Sequence, residues 1–283
     1  VEIAYSPVKG LGLLYPTEIE LTSLGMATNR RFFLVDEHRQ MVNGKRLGKL
    51  VQVVPELDDA ANRLTIMAEV NLLQPMHAST RRNYVQRVVE HDKAESAAVA
   101  RQWGRDYWDG DRRYGYGGYR YDGRWRPLAQ TLIDRYGIKP GMSVLDVGCG
   151  KGYLLYEFTQ LVPDLTIAGI DISDYGIANA KEEVRPLLQV GSAVELPYPD
   201  HSFDLVVSLG VLHNLPLEDV FRAVPEIERV GRGASKYLMV ESFRNEREKA
   251  NLIYWQLTCL SFHGPETWAW IYDKCGYRGD HGF

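Results

Sequence analysis

Three glycines on alternate positions follow one apolar run in this chain, Val144-Leu-Asp-Val-Gly-Cys-Gly-Lys-Gly152. Glycine at such a turn lets the backbone pass close to a ligand and adopt angles that a β-carbon would block. Two common phosphate-binding patterns are excluded by single residues. The dinucleotide pattern G-x-G-x-x-G needs glycine where Tyr153 stands, and the Walker pattern needs Ser or Thr after lysine, where Gly152 stands. What remains is D-x-G-x-G-x-G, with Asp146 at the end of the apolar run. A second carboxylate, Asp171, ends the next run, Ile167-Ala-Gly-Ile-Asp171. A carboxylate there can accept from two adjacent hydroxyls, such as those of a ribose. Further on lie His213 and Glu241. His213 reads either as a general base or as a structural hydrogen-bonder, and Glu241 either as a base or as a solvated carboxylate. Cys149, between glycines and with no base beside it in sequence, reads as a small residue that fits the turn rather than as a nucleophile.

The elements that must position these groups alternate. Apolar runs at 144–147, 167–170, 203–209 and 237–240, with Val190 between, are separated by helical patterns over Tyr153–Leu161, Tyr175–Val184 and Leu217–Val230. That order predicts a mostly parallel, doubly wound α/β sheet. Ahead of it, Pro127 opens a helix through Leu128, Leu132, Ile133 and Tyr136 that Lys139-Pro140-Gly141 ends. The chain's last residues, Gly276 to Phe283, are expected to lie inside a closing β-hairpin whose remainder is missing, just as the absence of Met before Val1 suggests missing N-terminal residues.

The glycine turn resembles the first motif of class I S-adenosylmethionine-dependent methyltransferases, and the following segments agree with that family in order and spacing. The resemblance covers about 103–283 and implies a Rossmann-like fold and S-adenosyl-L-methionine as cofactor, with S-adenosyl-L-homocysteine as product. It implies that Asp146, Gly148, Cys149, Gly150, Gly152 and Ile172 contact the cofactor, that Asp171 hydrogen-bonds its ribose hydroxyls, and that Ser192 and Ala193 lie near adenine. Many relatives carry Asp or Asn where Ser192 stands. The implied reaction is direct displacement onto an O- or N-nucleophile of a small molecule, with His213 and Glu241 as base candidates and no metal.

Between Trp103 and Trp125 lie eight aromatic residues and six glycines. As a lid, Tyr114, Tyr116, Tyr119 and Tyr121 would close over a sulfonium cation. As a nucleic-acid element, Arg112, Arg113, Arg120, Arg124 and Arg126 would track phosphates while tyrosines stack on bases. Residues 101–126 carry seven arginines against four aspartates, a net +3, and the interleaved Asp106, Asp109, Asp111 and Asp122 would repel a phosphate chain. The lid is favoured over surface packing, and nucleic acid is the least favoured. Trp268, Ile271 and Tyr272 near the C-terminus have the spacing of a packed helix face.

Residues 1–68 read as β-rich, with alternation at Ile19/Leu21 and Leu64/Ile66 and turn signals at Asn43-Gly44 and Asp58-Asp59 with Asn62. Tyr5-Ser-Pro-Val-Lys-Gly10, Leu24-Gly-Met26 and Asn29-Arg-Arg-Phe-Phe-Leu-Val-Asp36 resemble the β-barrel that precedes molybdenum-cofactor-sulfurase C-terminal (MOSC) domains. The catalytic MOSC domain does not follow, so no molybdenum chemistry is implied. The expected organisation is a small all-β barrel-like domain (1–68), a helical linker and Tyr/Gly-rich cap (69–130) with Tyr84, Val85, Val88 and Val89 on one helix face, and a methyltransferase domain (131–283).

Composition agrees with a folded protein: 45% hydrophobic and 25% charged residues exclude a wholly disordered or fibrous chain. No apolar run reaches the roughly 18–20 residues of a membrane span. Three cysteines without a close pair suggest neither a disulfide scaffold nor a thiolate zinc site, which points to the cytoplasm. A net charge of −4 exerts no global pull on nucleic acid. The expected partner is a small-molecule substrate, without membrane or nucleic acid, and a homodimer is left open. The alternative is a catalytically silent binding module, RNA-associated through the Tyr/Arg loop.

Overall fold

The computed structural model describes residues 69–72 and 91–283, together with six short strands between residues 21 and 66. The chain divides into two compact units, Val1–Ala68 and Glu69–Phe283. In the first unit β1 (Leu21–Thr22) pairs with β2 (Gly25–Met26), β3 (Leu34–Val35) with β4 (Met41–Val42), and β5 (Pro55–Asp58) with β6 (Arg63–Ile66), each antiparallel. The expected strand at Leu64 and Ile66 is β6, and the Asp59–Asn62 turn signal falls between β5 and β6. The closed barrel, the Asn43-Gly44 turn and the helix face at Tyr84, Val85, Val88 and Val89 lie outside the described residues.

The second unit is built on a six-stranded sheet: β7 (Ser143–Val147), β8 (Thr166–Asp171), β9 (Leu188–Val190), β10 (Leu205–Leu209), β11 (Lys236–Met239) and β12 (Asp280–Gly282). The spatial order is β12-β11-β10-β7-β8-β9 and every neighbour is parallel. All five residues of β7 are buried, because helices cover both faces, and this is why the strand lacks polar alternation, with Asp146 near its end as the exception, one of the carboxylate pair at the turn. The chain moves outward from β7 through β8 to β9, then restarts on β7's other side with β10. That reversal opens a crevice at the carboxyl ends of β7 and β10, the place where open α/β sheets take their ligands.

The covering helices follow from sequence. α1 (Lys93–Ala100) begins at Asp92, whose carboxylate accepts from Glu95 N, and α2 (Arg105–Trp108) follows it. In α3 (Arg126–Tyr136) Leu128, Ala129, Leu132 and Ile133 are buried, and Gly137 stops the helix in the left-handed conformation, earlier than Lys139. α4 (Tyr153–Leu161) buries Leu154, Leu155 and Phe158 in the same core. α6 (Leu217–Val230) buries Val220, Ala223, Val224, Ile227 and Val230, the stripe that a 3.6-residue period predicts. α7 (Glu246–Trp255) and α8 (Pro265–Lys274) lead to β12, and Trp268, Ile271 and Tyr272 of α8 are buried as their spacing implies.

β12 pairs parallel to β11 (Leu238 beside His281), and a parallel partner needs a crossover, which α7 and α8 supply; the second strand of the expected hairpin lies outside these residues. One expectation is corrected. The helix expected over Tyr175–Val184 is only α5 (Asp174–Ala178). After Asn179 the Lys181 amide donates to Lys151 O (2.9 Å), drawing the backbone out of the helix and onto the glycine turn. Among the described residues no helix is long and apolar enough to cross a membrane.

Candidate active site

At the top of β7 the backbone of Gly148 (φ 84°), Gly150 (φ 54°) and Gly152 (φ 70°) is left-handed at each alternate residue, which explains glycine at all three positions. The turn is bolted to the end of β8: Gly148 N and Cys149 N both donate to Ile170 O, at 2.7 and 3.1 Å, and Gly150 N donates to Asp171 Oδ2 at 2.8 Å. Space is tight as well. A β-carbon at Gly148 would run into Val211, and one at Gly150 would lie 2.8 Å from the Trp108 ring. Cys149 turns its thiol inward, into the core with Leu155 and Leu188, and burial pushes its pKa up. Its side chain therefore packs the sheet, and only its backbone belongs to the turn.

Two carboxylates flank this turn. Asp171 accepts from Gly150 N and, through Oδ1, from Ser173 N (2.8 Å); burial still leaves its pKa raised. Asp146 is 4% exposed, and no donor among the described residues reaches its carboxylate. Burial, and after it the negative Asp171, push its pKa up to about 8. Beyond Asp171, Ile172 is 57% exposed on the rim. The end of β9 is tied to the same place by Gly191 N donating to Asp171 O (2.9 Å); Ser192 Oγ accepts a long bond from Val194 N (3.4 Å), and Ala193 is buried.

The Tyr/Gly segment lies over the turn. Trp108 packs on Gly150 and donates from Nε1 to Ser173 Oγ (2.8 Å), and Tyr116 stacks on Trp108 with ring centres 5.4 Å apart. Tyr107 and Tyr119 complete the cluster. Tyr119 also stacks on Tyr153 of α4 (5.0 Å), and its hydroxyl accepts from Trp125 Nε1 (3.1 Å). The cluster is pinned by a buried ion pair. Lys151, 4% exposed within the glycine turn, donates to Asp109 Oδ2 (2.7 Å) and Tyr119 O (3.0 Å), and Tyr175 OH donates to Asp109 as well. Asp109 loses solvation there, yet the bonds from Lys151 and Tyr175 outweigh that loss and hold its pKa below the usual carboxylate value. Of the other two lid candidates, Tyr114 sits under the Arg113 guanidinium (4.5 Å), and Tyr121 packs edge-on against Tyr153 (5.6 Å) and donates to Glu157 on α4 (2.7 Å).

Across the crevice, His213 is 2% exposed. Its Nδ1 accepts from Glu241 N (3.1 Å), and its Nε2 lies 3.8 Å from Glu241 Oε2 and 3.3 Å from Gln256 Nε2. Gln256 Nε2 donates to Glu241 Oε2. Burial, then Tyr116, and more weakly the negative charges of Glu241 and Asp171 push the Tyr107 phenol well above its usual pKa.

Residues 145–239, the glycine turn through β11, match a family described as "Methyltransferase domain". The match covers 95 of the chain's 283 residues. A demethylmenaquinone methyltransferase of Symbiobacterium thermophilum is 30% identical over 128 residues, which are 42% of this chain and 50% of that protein. A sterol 24-C-methyltransferase of Gibberella zeae is 32% identical over 125 residues, 41% of this chain and 33% of that protein. The chain thus spans about half or less of the length of these relatives. Among solved structures, the YcgJ protein of Bacillus subtilis covers 52% of this chain with 66% of its own at 21% identity and a TM-score of 0.45.

The second unit brings Asp146, Gly148, Gly150, Gly152, Asp171, Ile172, Ser192 and Ala193 to the carboxyl ends of β7, β8 and β9 and sets Tyr116 on Trp108 above the glycine turn, while His213 and Glu241 lie past the ends of β10 and β11. Sequence reasoning passed over Lys151, Asp109, Trp108 and Gln256. A lysine between two glycines of a buried turn, with four aspartates in the preceding segment, is the one signal that pointed to the first pair.

Proposed function

We propose that residues 69–283 transfer a methyl group from S-adenosylmethionine to an O- or N-nucleophile of a small molecule. One observation carries the reading. Asp146 is a buried carboxylate without a donor among the described residues, beside a second, half-buried carboxylate, at a turn with glycine on three alternate positions. Two such groups repel each other and call for a ligand with both a positive charge and hydroxyls. S-adenosylmethionine has an ammonium and a sulfonium for the first requirement and ribose hydroxyls for the second.

In this reading Asp146 receives the cofactor's ammonium, and Asp171, its orientation fixed by Gly150 N and Ser173 N, accepts from the ribose. Exposed Ile172 covers one face of the adenine, and Ser192 and Ala193 border its edge. Tyr116 and Trp108 close the mouth against water; Tyr114 has no such place. The cofactor supplies a methyl group already activated by its positive sulfur, so the chain's work is alignment, exclusion of water and removal of a proton. The names of the relatives, which refer to a quinone precursor and to sterols, favour a small organic acceptor. Release of S-adenosylhomocysteine across a panel of small-molecule acceptors tests the reading. Turnover with at least one acceptor, abolished in Asp171→Ala, is expected; no release with any acceptor together with no cofactor binding overturns it. For residues 1–68 we propose an accessory barrel of the MOSC N-terminal kind. Unchanged folding, oligomeric state and turnover after its deletion would refute that role.

A further inference from the structure

Past the end of β11, side chains from three separate segments meet around one carboxylate. We propose that Gln256 is a positioning residue that holds Glu241 as an ionised proton acceptor, and that His213 is a neutral strut beneath it. The proposal rests on the methyl-transfer reading, because it gives Glu241 the acceptor's proton.

The orientation of the Gln256 amide is decided from its other end. Its Oε1 accepts from both Thr258 N (3.1 Å) and Thr258 Oγ1 (3.0 Å), and a flipped amide would turn its NH2 group against the Thr258 N–H, which can only donate. The NH2 group must therefore face Glu241 Oε2, to which it donates, and His213 Nε2. The His213 tautomer follows by the same accounting. Nδ1 accepts from the Glu241 backbone N–H, so Nδ1 carries no proton and Nε2 carries the only one. Two donors, Nε2–H and the Gln256 NH2, then sit 3.3 Å apart and converge on Glu241 Oε2. The imidazole has no lone pair left to receive a substrate proton. Charging it would set two N–H groups against each other at Nδ1, and burial alone pulls its pKa down to about 3.

Glu241 is built the opposite way. Its side chain is 22% exposed and takes a charge-assisted bond that favours the ionised form. The groups that interact with it include His213 from the loop after β10, Gln256 after α7, Tyr107 from α2 and Cys259 from the segment after α7. Lys93 and Arg101, at the two ends of α1, and Asp171 of β8 act on those groups in turn, and His263 is tied to the neighbouring Ser242 through its carbonyl. Tyr107 is pushed well above its usual value and Cys259 up to about 12, chiefly by burial, so both stay neutral at the pH where Glu241 is ionised. Of Tyr107, Cys259, His213 and Glu241, Glu241 is the one left to carry a charge, and the residue that aims it is Gln256.

Nuclear magnetic resonance on the full chain tests this without an acceptor, through 13C-labelled glutamate carboxyls and 15N-labelled imidazoles. The expected wild-type result is a His213 ring protonated at Nε2 alone and constant from about pH 5 to 8. Gln256→Leu is expected to raise the Glu241 midpoint by about one unit, a tenfold gain in proton affinity. Gln256→Glu, which keeps the size and adds a second carboxyl, is expected to raise it further through coupled titration. His213→Asn, whose side-chain oxygen can still accept from Glu241 N, is expected to leave it within about 0.3 unit. A His213 ring that titrates in that range, or a Glu241 midpoint indifferent to both Gln256 variants, overturns the proposal. Calorimetry with S-adenosylmethionine on the same samples separates the two claims: no binding by a protein that keeps the Glu241–Gln256 coupling overturns the methyl-transfer reading and leaves the positioning geometry standing.

Discussion

Cofactor binding should release a proton, and Asp146 is its source. Burial and then the neighbouring Asp171 push that carboxyl up to about 8, so most of it is neutral at pH 6 and 7. A ligand whose ammonium needs the ionised form binds in proportion to the ionised fraction, about 1% at pH 6 and about 9% at pH 7 for such a group. Affinity for S-adenosylmethionine is thus expected to rise about tenfold over that unit, with close to one proton released per ligand, while the ligand's own amino group stays charged. Calorimetric titration at both pH values, in two buffers of unlike ionisation enthalpy, gives the affinity and the proton count together. Asp146→Asn, which cannot ionise, should bind more weakly than the wild type at pH 6, with an affinity that does not change between the two pH values, and release no proton. A wild-type affinity flat between pH 6 and 7, or an Asn variant as tight as wild type at pH 7, would refute the assignment of Asp146 to the cofactor's ammonium.

Other consequences concern the ligand-free protein. Because the folded-state pKa of Asp146 is raised, the folded chain keeps a proton that the unfolded chain gives up between about pH 4 and 8, and its stability falls as pH rises through that window. Asp146→Asn should therefore melt about 3 °C or more above wild type at pH 8.5, with little difference at pH 4. Lys151→Met leaves Asp109 and Tyr119 O without their buried cation and should cost about 3 kcal/mol in thermal denaturation; adding Asp109→Leu should restore most of it. Gly150→Ala places a β-carbon against the Trp108 ring at a left-handed φ, and should displace the aromatic segment, read as red-shifted tryptophan emission and faster proteolysis between residues 101 and 126.

The parts of this architecture that could be read from sequence are those fixed by local chemistry. A buried strand running into alternating glycines, Asp171 closing the next apolar run, and the stripe from Val220 to Val230 each carry their own signal within a few residues. The unread parts depend on partners far apart in the chain. Lys151 meets Asp109 across 42 positions, and the aspartates read as a hindrance to phosphate include the anion that pins the aromatic segment. Gln256 meets Glu241 and His213 only because the segment after α7 returns to the end of β11. Likewise α5 ends early because Lys181 finds Lys151 O. The parallel direction of β12 is set by the crossover through α7 and α8, which the final residues alone cannot reveal.

The central claim is that the glycine turn and its two carboxylates hold S-adenosylmethionine. Equilibrium dialysis of the full chain at pH 8 against the cofactor, carried to about 1 mM so that even millimolar affinity registers, tests it most directly. One equivalent bound by the wild type is expected, and none by an Asp171→Ala variant whose circular dichroism still shows a folded chain, since that change strips the acceptor from Gly150 N and Ser173 N as well as from the ribose. No binding by the wild type, or equal binding by the variant, would contradict it.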